Sequence, residues 1–112
     1  MIDLLKKNCD KDATLTLDPT LLLPASHYSQ LCKNISKKEG IFTYILDNND
    51  HKTTLINNAS ATLHQSIIKF NPSNVEDWLA GFRDCSCVIT DSYHGCLFSI
   101  IFNKPFICIL NQ

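Results

Sequence analysis

The stretch CSCVITDSYHGCLFSIIFNKPFICIL, Cys85 to Leu110, decides the fold of this chain. Cys85 to Thr90 is a short apolar run with β-branched residues, the composition of a buried strand. A polar turn from Thr90 to Gly95 interrupts it. From about Gly95 to Phe102 the chain is apolar on most sides, so the helix predicted there must be buried. Asn103 and Pro105 stop that helix, and FICIL forms another strand. Strand, buried helix and strand in this order predict a right-handed crossover between parallel neighbours.

Upstream, the same alternation repeats. IFTYILD (Ile41–Asp47) reads as a buried strand that ends at Asn48 and Asn49. Asp50 is suited to cap a helix with Leu55, Ile56, Ala59 and Leu63 on one face. SIIKF (Ser66–Phe70) reads as a second short strand. In NPSNVEDWLAGF, Ser73 and Glu76 have capping-box spacing, and Val75, Trp78, Leu79 and Phe82 make one helical stripe. From Gly40 onward the pattern predicts an α/β domain, residues 40–112, with a mostly parallel sheet of about four strands covered on both faces.

Residues 1–39 do not fit the repeat. TLTLDPTLLLP suggests an extended segment, and ASHYSQLCKNISKKEG a helix or linker. The expectation is that 1–39 is the tail of a preceding domain with an inter-domain linker, and that the chain is a fragment or unusually short.

Composition narrows the function. The chain has 112 residues, 45% apolar and 19% charged, with a net charge of −1. That describes one globular domain without the basic field that nucleic acid requires. CLFSIIF and FICIL fall far short of the roughly 20 residues of a membrane-spanning helix. MIDLLKKNCDKD lacks the order of a secretory signal, so a cytoplasmic location is the expectation. Four of the six cysteines (Cys85, Cys87, Cys96 and Cys108) sit in apolar segments, which predicts buried free thiols. Cys85-x-Cys87 is too small a set for zinc, and no metal is expected.

In an open parallel sheet, ligands sit outside the carboxyl ends of the strands. That rim should carry Asp47 and Asn48, Asn71 and Ser73, Thr90 to Gly95, and Asn111 with Gln112. TDSYHG is the densest group and lies at the N-terminus of a buried helix, where free amides favour an anion. Gly95 permits close approach of a backbone or ligand. His94 is the group there able to trade a proton near neutral pH. The plainer alternative is that Asp91 or Ser92 only caps the helix and His94 is a satisfied rim histidine. His27, His51 and His64 are isolated. Lys104 follows the buried helix, about 13 Å from the rim, and Arg83 also belongs to the opposite face, so neither gives His94 cationic company.

LDPTLLL (Leu17–Leu23) together with VEDWLAGFRDCSCVITDSYHGCLFSIIFNKPFICI (Val75–Ile109) resembles the C-terminal half of the polysaccharide pyruvyl transferase family. The resemblance implies the second Rossmann-like, three-layer half of a GT-B-like enzyme. It implies transfer of a pyruvyl group from phosphoenolpyruvate to a sugar hydroxyl pair as a ketal, in surface or exopolysaccharide biosynthesis, without a cofactor. The family's catalytic histidine maps onto His94, and its substrate-binding turn onto Asp91, Ser92, Tyr93 and Gly95. Many members carry an arginine where this chain has Ser92, so the anion contact would come from a missing N-terminal domain, and the chain alone would be inactive. The implied partners are phosphoenolpyruvate and a saccharide acceptor, with room for peripheral association with a membrane-bound, lipid-linked glycan. Two other readings of the same rim are a glycosyltransferase half that holds a nucleotide sugar and a non-catalytic glycan-binding module.

Overall fold

A computed structural model describes residues 2–68 and 74–111. In order, these residues form α1 (Ile2–Cys9), a 3₁₀ helix (Pro19–Leu22), α2 (Ala25–Leu31), β1 (Ile41–Tyr44), α3 (Asp50–Leu63), α4 (Val75–Asp84), β2 (Cys87–Thr90), α5 (Tyr93–Ile101) and β3 (Phe106–Cys108). The strands make one parallel sheet in the order β1-β2-β3, with Phe42 opposite Val88 and Val88 opposite Phe106. The α/β class and the parallel pairing agree with the sequence.

Among the described residues the sheet has three strands where the sequence predicts about four. Within Ser66–Ile68, Ile67 makes an isolated parallel bridge to Ile41, with Ile41 N–H donating to Ser66 O at 2.8 Å and Ile68 N–H to Ile41 O at 2.9 Å. Lys69 and Phe70 lie outside the described residues. Gly40 makes this close pairing possible: its φ is +118°, and a Cβ there would overlap the carbonyl of Ser66.

The chain runs from β1 through α3 to the Ile67 bridge on one side, then back through α4 to β2 on the other side. Right-handed crossovers in opposite directions place α3 on one face of the sheet and α4 and α5 on the other. Phe42 and Val88 point to the α4 and α5 face. There they join Leu79, Phe82, Phe98, Tyr28 and Cys32 in the core. Gly81 of α4 lies directly against the Phe42 ring, where no larger residue fits. Trp78 meets Tyr44, Phe82 and Phe98 edge-on, with ring centroids 4.7 to 5.2 Å apart. Ile41 and Ile89, one residue out of phase, are also fully buried. The sheet is therefore covered on both faces at β1 and β2.

Several local expectations are corrected. Asn49, not Asp50, caps α3, its side chain accepting from Lys52 N–H. Asn74 is the N-cap of α4, its side chain accepting from Asp77 N–H; Ser73, expected in that role, lies outside the described residues. The helix expected from Gly95 begins two residues earlier, at Tyr93. The expected extended segment contains a 3₁₀ turn over Pro19–Leu22, with Asp18 as its cap and Pro19 in its first turn, where a missing N–H costs nothing. Residues read as a preceding segment also enter the core, since α2 packs on α4 and buries Tyr28 and Cys32. All six thiols are free, but only Cys32 and Cys85 are buried. Cys108 is exposed because β3 is an edge strand.

Candidate active site

The two crossover directions diverge between β1 and β2. The loops that leave the carboxyl ends of these strands, after Tyr44 and after Thr90, therefore frame a topological switch point. In open α/β sheets this crevice is where ligands bind.

Asp91 holds the two loops together. Its carboxylate is fully buried and accepts from Leu46 N–H at 2.7 Å, Asp47 N–H at 3.1 Å and Lys52 Nζ at 2.8 Å. Lys52, buried in the first turn of α3, also donates to Asp47 O and to Asn111 Oδ1, both at 2.5 Å. Burial opposes the charge on Asp91, but the Lys52 ammonium and the two amides outweigh it and hold the carboxyl below the usual carboxylate range. Asn111 Nδ2 adds a long contact to Asp91 O at 3.5 Å.

The rest of the turn is equally determined. Thr90 Oγ1 donates to Tyr44 O at 2.6 Å and accepts from Ser92 N–H at 3.0 Å. Ser92 is the N-cap of α5, its Oγ accepting from Gly95 N–H at 3.2 Å. Gly95 sits where a Cβ would overlap Thr90 Oγ1, so helix and strand approach closely only without a side chain. Asp91, Ser92 and Gly95 are therefore interior residues, while Tyr93 is 65% exposed and the His94 side chain 54% exposed. The turn's two aromatic rings meet edge-on at 5.4 Å and face outward in the first turn of α5.

His94 has a carboxylate neighbour. Its Nε2 lies 3.5 Å from Asp18 Oδ2, an ion pair when the imidazole is protonated. Asp18 Oδ1 is occupied by Thr20, accepting from the amide at 3.0 Å and the hydroxyl at 2.7 Å. These Thr20 bonds, with a smaller part from His94, hold the Asp18 carboxyl below its ordinary value. One oxygen of Asp18 thus fixes the 3₁₀ turn and the other faces the imidazole. Because α5 also packs on that turn, LDPT and TDSYHG form one site.

The remaining candidates separate by position. Arg83 donates to Cys32 O, Ile35 O and Asp84, tying α4 to the segment after α2. Lys104 precedes β3 beside Cys85, at the opposite end of the sheet from Thr90. His64 ends α3 as a left-handed C-cap. His51 faces a hollow of about 490 Å³ next to the switch point. Asn71 and Gln112 of the expected rim lie outside the described residues. Among the described residues, no three His, Cys, Asp or Glu side chains are grouped to hold a metal, and no helix is long and apolar enough to cross a membrane.

Sequence reasoning missed Lys52 and the role of Asp18. Lys52 did carry a signal: a lysine in the first turn of a helix opposes the dipole and needs a compensating partner. Asp18 carried one as well, since Asp before Pro at a helix start is a capping arrangement.

A parallel sheet with a switch-point crevice, a capped buried helix and an exposed imidazole beside a carboxylate make this an α/β domain of the kind whose strand ends offer a crevice for ligands. The family model described as polysaccharide pyruvyl transferase matches residues 2–112, and the chain belongs to that family. Membership in a transferase family agrees with the reading of the sequence. No curated protein and no solved structure matches the chain.

Proposed function

We propose that this chain carries the proton-transfer half of a pyruvyl transferase site, with phosphoenolpyruvate as donor and a sugar hydroxyl pair as acceptor. One observation carries the reading: His94, in the family's turn, is an accessible imidazole at the switch-point rim, paired with Asp18.

In the proposed reaction His94 delivers a proton to C3 of the enolpyruvyl unit, which becomes a methyl group, and C2 becomes oxocarbenium-like. Two sugar hydroxyl oxygens bond to C2, and the bond from C2 to the phosphate oxygen breaks. Of the two hydroxyl protons released, one restores His94 and the other leaves with phosphate. Asp18 orients the imidazole through its Oδ2, 3.5 Å from Nε2. Tyr93 faces the same solvent space as His94, where a substrate would stand. Asp91, Ser92 and Gly95 act as positioning residues for the helix N-terminus that receives the anion.

Lys52 is committed to Asp91, so the remaining cations for phosphate and carboxylate are proposed to come from outside the described residues, in the other half of a GT-B-like enzyme. On this reading the enzyme works in the cytoplasm on a surface or exopolysaccharide precursor, and the 112-residue chain alone does not turn over. The test is His94→Ala in the complete enzyme. Ketal formation should fall at least about a hundredfold, the range of a lost general acid, with the fold unchanged by circular dichroism. Near-normal turnover would remove His94 from the mechanism.

A further inference from the structure

The hollow beside the switch point has no assigned role. It measures about 490 Å³, within the size range of small-molecule sites. The loop after β1, the first turn of α3 and the segment after β3 form its walls.

We propose that this hollow is a subsite for a neutral sugar ring. The proposal rests on the transferase reading for its saccharide, but the groups in the hollow favour such a ligand on their own chemistry. Among the described residues, the Asp47 carboxylate and the His51 imidazole have no partner, and Asn49 uses only its Oδ1, to accept from Lys52 N–H. An acceptor, an amide donor and an imidazole that does either are therefore left open around one space. These are the complements of adjacent hydroxyl groups. Ile109 and Leu110 supply an apolar wall, with Leu110 82% exposed, matching the C–H face of a pyranose.

The electrostatics disfavour an anion. The Lys52 ammonium in the wall is already matched by Asp91 at 2.8 Å, with Asn111 Oδ1 and Asp47 O on its other protons. That leaves the Asp47 carboxylate as the uncompensated charge, which would repel phosphate or carboxylate. The anion and the sugar are thus assigned to different parts of the rim: the anion to the N-terminus of α5, the sugar to the α3 side. The Lys52–Asp91 pair is the wall between them.

The test is a titration of the isotope-labelled 112-residue chain, followed by amide chemical shifts. The probes are the methyl α-pyranosides of glucose, galactose and mannose, inorganic phosphate, and phosphoenolpyruvate, each added separately. At least one pyranoside should saturably shift the amides of residues 46–52 and 109–111. Asp47→Ala and His51→Ala should each weaken that binding about tenfold, with Asp47→Asn as the substitute if Asp47→Ala does not fold. Absence of a saturable sugar response, tighter binding of inorganic phosphate at these amides, or unchanged sugar affinity in both variants would overturn the subsite. The two readings fail separately. Sugar binding here together with near-normal turnover of His94→Ala in the complete enzyme would sink the transfer reading and leave the subsite standing; loss of turnover in His94→Ala without a saturable sugar response at these amides would sink the subsite alone.

Discussion

Asp18 Oδ2 stands 3.5 Å from His94 Nε2, so a carboxylate from the first helical turn after α1 faces the imidazole of the turn after β2. The contact follows from two caps. Asp18 is held by Thr20 through its other oxygen, and His94 rides on the first turn of α5, which Ser92 caps.

Asp18→Asn keeps the cap, because Asn is as good an N-cap as Asp, and removes the charge beside His94. Stability should change little, because the cap is kept and the His94 side chain facing it is half exposed. On the proposed transfer, with His94 as proton donor, ketal formation should drop about ten- to a hundredfold as the imidazole loses its orientation. Steady-state kinetics with parallel thermal melts measure both. An equal loss of activity and fold would make the residue merely structural.

The Lys52–Asp91 pair is buried on both sides, with side-chain exposures of 4% and 0%. Removing one partner leaves the other charged and unpaired in the interior, so Lys52→Met or Asp91→Asn should each cost about 3 to 5 kcal/mol in urea unfolding. The double variant should be more stable than the sum of the two losses predicts, because it leaves no orphan charge. Strict additivity would mean that the two residues act independently.

Acid should destabilise the fold in a defined window. Asp91 and Asp84 have folded carboxyl groups below their ordinary value. Burial opposes the charge of each, but Lys52 with two amides at Asp91, and Arg83 with Lys38 N–H at Asp84, outweigh it. Both are deprotonated in the folded state at pH values where the unfolded chain already takes up protons. Their contribution is complete above the unfolded carboxylate value of about 3.9 and is lost as pH falls through the lower folded values. The urea midpoint should stay flat from about pH 7 to 5 and fall below about pH 4, with a shallower acid limb in Asp91→Asn.

Gly95→Ala should separate packing from chemistry. The added methyl overlaps Thr90 Oγ1, which also donates to Tyr44 O. Helix α5 must move off β2, at a cost of about 1 to 3 kcal/mol. Binding of phosphoenolpyruvate should weaken as the helix N-terminus shifts, and calorimetric titration against the parent checks it. A variant as stable as the parent would show that the close approach of α5 to β2 is unimportant.

The sequence determined that strand and helix alternate from Ile41 to Cys108 and that the TDSYHG turn follows β2, because both depend on local signals. Apolar runs of strand length, a helix apolar on most sides, and a glycine in a polar turn each restrict the backbone within a few residues. From those restrictions the parallel connection and the rim position of TDSYHG follow. What the local signals could not supply was contact across distance. Nothing in the spacing of Asp50 to Leu63 indicates that Lys52 turns inward to meet Asp91, since a charged side chain is buried only if its partner is already held there. In the same way, residues 25–32 of the expected inter-domain segment join the core because α2 finds α4, and Ile67 pairs with Ile41 because Gly40 allows the approach. The tertiary structure alone decided which face each charge occupies, because a buried ion pair depends on long-range geometry and leaves no period in the sequence.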